Sequence, residues 1–255
     1  MSLLEVANLG ISFGGLKAVD DVSFDVEEGE VFTIMGPNGA GKSTIFNLIS
    51  RFYKPTSGTI RFGGKDITGL APHQIAPLGI ARTFQNIELF DHSTVLQNLL
   101  VGRHSLRRTS FIEDMLFLPK NRREEVRHRE EIETIIDFLD LQPYRNQRIA
   151  GLPYGVRKVV EMARALALKP KLLLLDEPAS GLSVEETQDV AYWIEDIQKD
   201  MGITVLMVEH DMKLVNQVSD RVLALDHGSP LAIGLPQEVQ SDPAVIEAYL
   251  GREEA

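Results

Sequence analysis

The sequence predicts an α/β fold with a mainly parallel sheet, an N-terminal antiparallel β region and an inserted helical subdomain. Three observations predict it. Short apolar runs alternate with helical patterns in the last third of the chain, which is how strand–helix–strand units read. The first 85 residues are mainly strand-like, with apolar and polar positions alternating. Residues 86–165 change to a helical period and concentrate charge.

Taken in order, Val22, Phe24 and Val26 alternate with polar residues and mark a half-buried strand. Val31–Met35 is a short, mainly apolar strand run. A glycine-rich loop follows, and after it Ile45, Leu48, Ile49 and Phe52 fall at helical spacing. Ile60 and Phe62 alternate between the turn signals Pro55–Gly58 and Gly63-Gly64. In the middle, Ile132, Ile135, Ile136 and Leu139 lie at i, i+3, i+4 and i+7, one face of a helix. The charge runs at 103–108 and 120–131 read as solvated helix faces or as a docking surface beside a membrane. Lys171–Leu175 is a buried strand, Val184–Lys199 is helical, and Ile203–Val208 and Arg221–Leu225 are further apolar runs. The two strand-rich parts share one core, so residues 1–255 form a single domain and 86–165 an insertion within it.

Composition narrows the function. A chain of 255 residues can bury one substantial core, and 44% apolar with 25% charged content is that of an ordinary globular protein. There is no cysteine, so disulfides and thiolate metal sites are excluded. The N-terminus has neither the basic nor the apolar region of a signal peptide. No apolar run is long enough to cross a bilayer. A net charge of −11 argues against a nucleic-acid partner.

Residues 36–44 read Gly36-Pro37-Asn38-Gly39-Ala40-Gly41-Lys42-Ser43-Thr44. Glycine, four residues, glycine, lysine and serine is the pattern of a phosphate-binding loop. The glycines let successive N–H groups turn towards one anion. Lys42 supplies a point charge for the β and γ phosphates, Ser43 a hydroxyl for Mg²⁺, and the following helix its positive end. The alternative is a glycine-rich turn that ends by chance in Lys-Ser.

A second signal is Leu172–Leu175 followed by Asp176, Glu177 and Pro178. A strand buried on both faces ends in two carboxylates, at the strand end where ligands bind in parallel sheets. Asp176 suits Mg²⁺, through water, and Glu177 suits a general base for an attacking water. A strand-ending turn is the structural alternative. His210 follows the run Ile203–Val208 and reaches the same edge, where it could orient water; most lone histidines are structural or at the surface. Gln85 alone says little. Phe13, before Gly14-Gly15, could stack on a base or belong to the core.

The order of these motifs resembles the ATP-binding subunits of ATP-binding-cassette (ABC) transporters over essentially the whole chain. The resemblance implies a P-loop NTPase core of the ABC ATPase type. Gln85 matches the family's Q-loop glutamine, Leu152–Lys158 its signature, Ser180–Ser183 its D-loop and His210 its switch histidine. By the same resemblance Phe13 stacks on adenine with Val19 beside the base, and Gln85 also reaches the metal. Gly155 is the retained signature glycine. The segments ARTFQNIELFDHSTVLQNLLVGRH, VEHDMKLVNQVSDRVLALDHGSPLAIG and DPAVIEAYLG resemble the branched-chain amino acid importer branch. Relatives in that branch import urea, short amides or aromatic acids, so the solute stays open.

The resemblance implies ATP and Mg²⁺ as ligands and two cassettes closing head to tail over two ATP molecules. It implies a second ATP-binding subunit, with a heterodimer favoured, membrane permease subunits and, indirectly, a periplasmic or extracellular solute-binding protein. The chain is then peripheral on the cytoplasmic face of the inner or plasma membrane and soluble when isolated. The signature departs from the family's Leu-Ser-Gly-Gly-Gln. Pro153 replaces the serine that contacts the opposite nucleotide, and Val156 replaces a glutamine. Proline has neither hydroxyl nor N–H, so binding across the dimer is expected to be weaker. The alternatives are a soluble ABC ATPase outside transport, a non-hydrolysing regulatory cassette and a lipopolysaccharide-export cassette.

Overall fold

The computed structural model describes residues 2–83, 87–103 and 119–250. They fall into two compact units, Met1–Arg82 with Lys171–Ala255, and Thr83–Pro170.

In the first unit β1 (Ser2–Phe13) and β2 (Leu16–Glu27) form a hairpin across Gly14-Gly15. β4 (Ser57–Phe62) and β5 (Lys65–Asp66) extend it to an antiparallel sheet of order β2-β1-β4-β5. The second sheet has the order β10-β9-β3-β8-β7-β6. Its strands are β3 (Val31–Met35), β6 (Ile80–Arg82), β7 (Leu172–Asp176), β8 (Thr204–Val208), β9 (Arg221–Asp226) and β10 (Ser229–Gly234). All pairings from β9 to β6 are parallel, and β10 closes the edge as an antiparallel hairpin with β9.

One apolar core joins the two sheets. Phe32 and Ile34 of β3, Leu172 and Leu174 of β7, Leu206 and Val208 of β8, and Leu223 and Leu225 of β9 all belong to it. These are alternate residues, so each strand turns one set of side chains towards the antiparallel sheet. The intervening residues Leu173, Leu175, Val205, Met207 and Val222 are just as buried. Strands covered on both faces read as continuous apolar runs, which is why they were visible in the sequence.

The helix α1 (Lys42–Ile49) contributes Ile45, Phe46, Leu48 and Ile49 to this core. The spacing that extended this helix to Phe52 is not realised. Arg51 takes a left-handed conformation, φ 64°, and its buried side chain donates to Leu70 O at 3.4 Å. The chain turns there, and Phe52 is left 54% exposed.

The second unit is helical, with helices Val95–Gly102, Pro119–Phe138 and Tyr154–Leu166. Thr94 caps the first helix by accepting from Gln97 N, and Gln97 reaches back to Thr94 N. Ile132, Ile135 and Ile136 are buried, as the helical period required. Arg103 is buried and ties three segments together. It donates to His128 Nδ1 at 2.8 Å and to Ala167 O at 3.1 Å, and pairs with Glu131. Among the described residues no helix is long and apolar enough to cross a membrane.

Candidate functional site

Three neighbouring parallel strands bring the phosphate loop, Asp176, Glu177 and His210 to one edge of the sheet. Ile34 of β3 and Asp176 of β7 are both in register with Val208 of β8. The segments that follow therefore leave the same carboxyl edge: the loop from Gly36, the turn from Glu177, and the Glu209-His210 pair. This is the side on which open parallel sheets place ligands.

The loop at 36–44 has a backbone that side chains would obstruct. Gly36 has φ 152°, and a Cβ there would lie 2.3 Å from Leu225 O; Gly41 has φ 101°, and a Cβ would lie 2.6 Å from Ala18 O. Ala40 O accepts from Gly228 N at 3.0 Å, and Gly228 O accepts from Asp20 N at 2.8 Å, so the β9–β10 turn pins the loop to β2. Lys42 is buried and folds back, donating from Nζ to Gly36 O at 2.6 Å and Pro37 O at 3.0 Å. Its charge is thereby held over the loop. Gly41 caps α1 without a side chain, and the first turn carries no acidic residue. The first-turn N–H groups and the helix dipole thus favour an anion. Asn38, Gly39 and Ser43 are exposed, Pro37 and Thr44 partly so.

Asp176 is 3% exposed at the end of β7. Its Oδ2 accepts from Arg82 Nη2 at 2.8 Å. Arg82 also donates to Asn47 Oδ1 at 2.8 Å and lies over the Phe46 and Phe52 rings. A guanidinium thus ties the carboxylate to the helix behind the phosphate loop. Asp176 and the Ser43 hydroxyl are hard oxygen donors. Mg²⁺ takes such donors when phosphates and water complete its shell, so these residues fit that ion.

Glu177 is partly exposed with φ 50°, a conformation that costs a residue with a side chain on the order of 1–3 kcal/mol. It is held by its N–H to Val208 O at 2.9 Å and by Ser180 N–H to its own carbonyl at 3.2 Å. The side chain of His210 is 59% exposed. Its backbone N–H donates to Glu209 Oε2 at 2.8 Å.

Val19 is buried beside the loop, its Cγ2 3.6 Å from where a Gly41 Cβ would stand. Phe13 is 45% exposed and so lies outside the core; its ring meets Tyr53 edge-on at 5.2 Å. Gly155 is buried in the second unit, at the start of the helix Tyr154–Leu166. Pro153 is the N-cap of that helix, with no side-chain cap and no acidic residue in the first turn. Arg157 lies over the Tyr154 ring at 5.9 Å. Gln85 lies outside the described residues, as does most of the insertion at 103–131.

Four residues near these loops were not singled out from sequence. Arg82 stands in a strand run and its partner is 94 positions away. Glu209 stands next to His210 at the end of an apolar run, and an acid there beside a candidate histidine is a usable signal. Tyr53 gave none. Tyr249, near the C-terminus, has an enclosed hydroxyl with no hydrogen bond of ordinary geometry. Burial pushes this phenol up to about 12, and the Gly36 N–H works against that rise.

The family described as ABC transporter matches residues 19–180, from Val19 through the phosphate loop and Asp176-Glu177. The chain belongs to this family. It is an ATP hydrolase of the ABC cassette type. A second family, the branched-chain amino acid ATP-binding cassette transporter, matches residues 229–255. The cassette is 43% identical over 249 residues to the high-affinity branched-chain amino acid transport ATP-binding protein BraF of Pseudomonas aeruginosa, covering 98% of each chain. It is 40% identical to the corresponding LivG protein of Escherichia coli, again over 98% of each. A crystal structure of a nucleotide-free ATP-binding cassette from an ABC transporter aligns with a TM-score of 0.85 at 34% identity, covering 98% of this chain and 99% of that one. A second, in an ADP conformation, gives 0.85 at 33% identity and the same coverage.

Proposed function

We propose that this cassette hydrolyses Mg-ATP to drive import of branched-chain amino acids, or a related small polar or aromatic solute, through a separate membrane permease. The observation that carries the reading is the shared carboxyl edge of β3, β8 and β7, which presents a phosphate loop, a metal carboxylate, a base and a histidine together. The full-length likeness to two transport proteins favours import over a soluble ABC ATPase.

In this reading the N–H groups of residues 38–44 and the Lys42 ammonium hold the β and γ phosphates. Asp176 and Ser43 would hold Mg²⁺, which when bound offsets phosphate charge. Glu177 accepts the proton of the attacking water, and His210 contacts the γ-phosphate and orients that water. Phe13 stacks on adenine with Val19 beside the base, and Gln85 reports on the γ-phosphate. Phosphoryl transfer needs positioning and charge stabilisation more than covalent chemistry, so a site divided between two subunits works only when closed. The helix start at Gly155, with Arg157 and Lys158 in its first turn, supplies the other half to a second cassette. The cassette then sits on the cytoplasmic face of the membrane, docked to its permease and served by a solute-binding protein.

Glu177→Gln tests the chemistry. It should bind a fluorescent ATP analogue as the wild type does and release no phosphate. Wild-type turnover in that variant removes Glu177 as base. Lys42→Ala in cells should abolish uptake of whichever of leucine, isoleucine, valine, phenylalanine or urea the wild-type chain supports; uptake of all of them undiminished relative to a deletion strain carrying the wild-type chain removes the transport assignment.

A further inference from the structure

Glu209 lies between the two catalytic loops and has no part in the mechanism above. Its side chain is 1% exposed, at the end of β8. The two carboxylate oxygens are divided between the loops. Oε1 accepts from Ala179 N at 2.9 Å, in the segment that begins at the strained Glu177. Oε2 accepts from His210 N at 2.8 Å and from Asp211 N at 3.2 Å. The His210 ring lies beside it, with Nδ1 3.8 Å from Oε2.

A buried carboxylate is tolerated only when its lone pairs are met, and backbone N–H groups meet a charged acceptor more strongly than a neutral one. Three such donors fix the orientation of this side chain, and the side chain in turn fixes them. The loop beyond Glu177 needs that support, because a left-handed residue with a side chain persists only where its surroundings over-determine it. Ala179 N–H to Glu209 and Glu177 N–H to Val208 O are tethers from neighbouring positions of one strand end. The backbone of His210 hangs on the same carboxylate, while its ring stays exposed and able to turn.

The geometry points to Glu209 as a positioning residue that locks the Glu177 loop and the His210 loop into one unit, so that base and histidine are aligned together. This rests on Glu177 and His210 acting as described above. A neutral amide cannot replace the carboxylate. Glutamine has one acceptor oxygen for one loop and would set its NH₂ against an N–H of the other.

The test is Glu209→Gln in the full-length chain, beside wild type, Glu177→Gln, His210→Ala and the double variant Glu209→Gln/His210→Ala. Steady-state ATPase, affinity for a fluorescent ATP analogue and hydrogen exchange are measured on each. The expected result is a kcat lower by roughly 10- to 100-fold, as misplacement by about an ångström produces. Nucleotide affinity should stay within about twofold, because the phosphate loop is untouched. Amide exchange should rise at both 177–180 and 209–211, and the double variant should lose less than the sum of the two single losses but more than His210→Ala alone. A merely structural glutamate would give additive losses or would move affinity with kcat. A kcat within about threefold of wild type, or exchange that rises in one loop only, overturns the coupling. If the glutamine variant does not fold, Glu209→Asp is read by the same criteria, since the shorter side chain spans one loop and not both. The two readings fail separately: turnover in Glu177→Gln removes the base, whereas a dead Glu177→Gln beside an active Glu209→Gln removes the coupling alone.

Discussion

Replacing Arg82 by methionine removes a cation that holds three parts of the first unit together. The Arg82 and Asp176 side chains are 10% and 2% exposed, so their 2.8 Å pair is a buried one. Breaking a buried pair by deleting one partner costs roughly 3–5 kcal/mol, because the remaining charge loses its compensation. The bonds to Asn47 Oδ1 and Ser50 Oγ go with it. Methionine keeps an apolar stem against the Phe46 and Phe52 rings, so little of the loss comes from packing. At about 2–4 °C per kcal/mol for a chain of this size, the melting temperature of Arg82→Met should fall by about 6–20 °C. The assay is urea and thermal unfolding without nucleotide or Mg²⁺. Adding Asp176→Asn removes the charge that Arg82 balanced, so the double variant should recover more than half of the loss. A single-variant loss below about 1 kcal/mol, or strictly additive effects, would refute the pairing as a structural tie.

Two further outcomes follow from the same geometry. Pro153→Ser restores a hydroxyl at the N-cap of the signature helix; in the assembled complex the half-saturating Mg-ATP concentration should fall by about tenfold, the worth of one hydrogen bond to a charged group, and an unchanged value sinks the idea that Pro153 weakens closure. Tyr249 is raised from 10.0 to about 12 chiefly by burial, so the folded chain keeps its phenol proton where the unfolded chain has lost it. Stability should therefore be full below pH about 10 and decline towards pH about 12, and Tyr249→Phe should lack that component in a comparison of melting temperature against pH.

The parts of the fold that follow from local chemistry were legible in the sequence. β7 reads as a strand because four leucines must be covered on both faces, and the acids Asp176, its still-buried last residue, and Glu177 mark where the strand ends. The helix Val184–Lys199 carries its own start signal, Ser183 accepting from Glu186 N while Glu186 reaches back to Ser183 N. What was missed depends on partners that no local pattern encodes. Nothing in Ala81-Arg82-Thr83 points to Asp176, and nothing in the spacing of Ile45, Leu48, Ile49 and Phe52 shows that Arg51 turns inward and ends the helix.

The two buried acids at adjacent strand ends, Asp176 and Glu209, are compensated in different ways, and that difference bears on their roles. Asp176 is met by a side-chain cation, and a cation can share or yield an oxygen when other positive charge arrives. Glu209 is met by three backbone N–H groups, which belong to the loops themselves and cannot leave without those loops moving. A carboxylate of the first kind suits a ligand that comes and goes. One of the second kind suits a fixed joint. The strained Glu177 directly follows Asp176, and its loop is tied to Glu209 through Ala179 N. Substitutions at the exchangeable acid should therefore register in the metal dependence of nucleotide binding, and those at the joint in turnover with binding preserved.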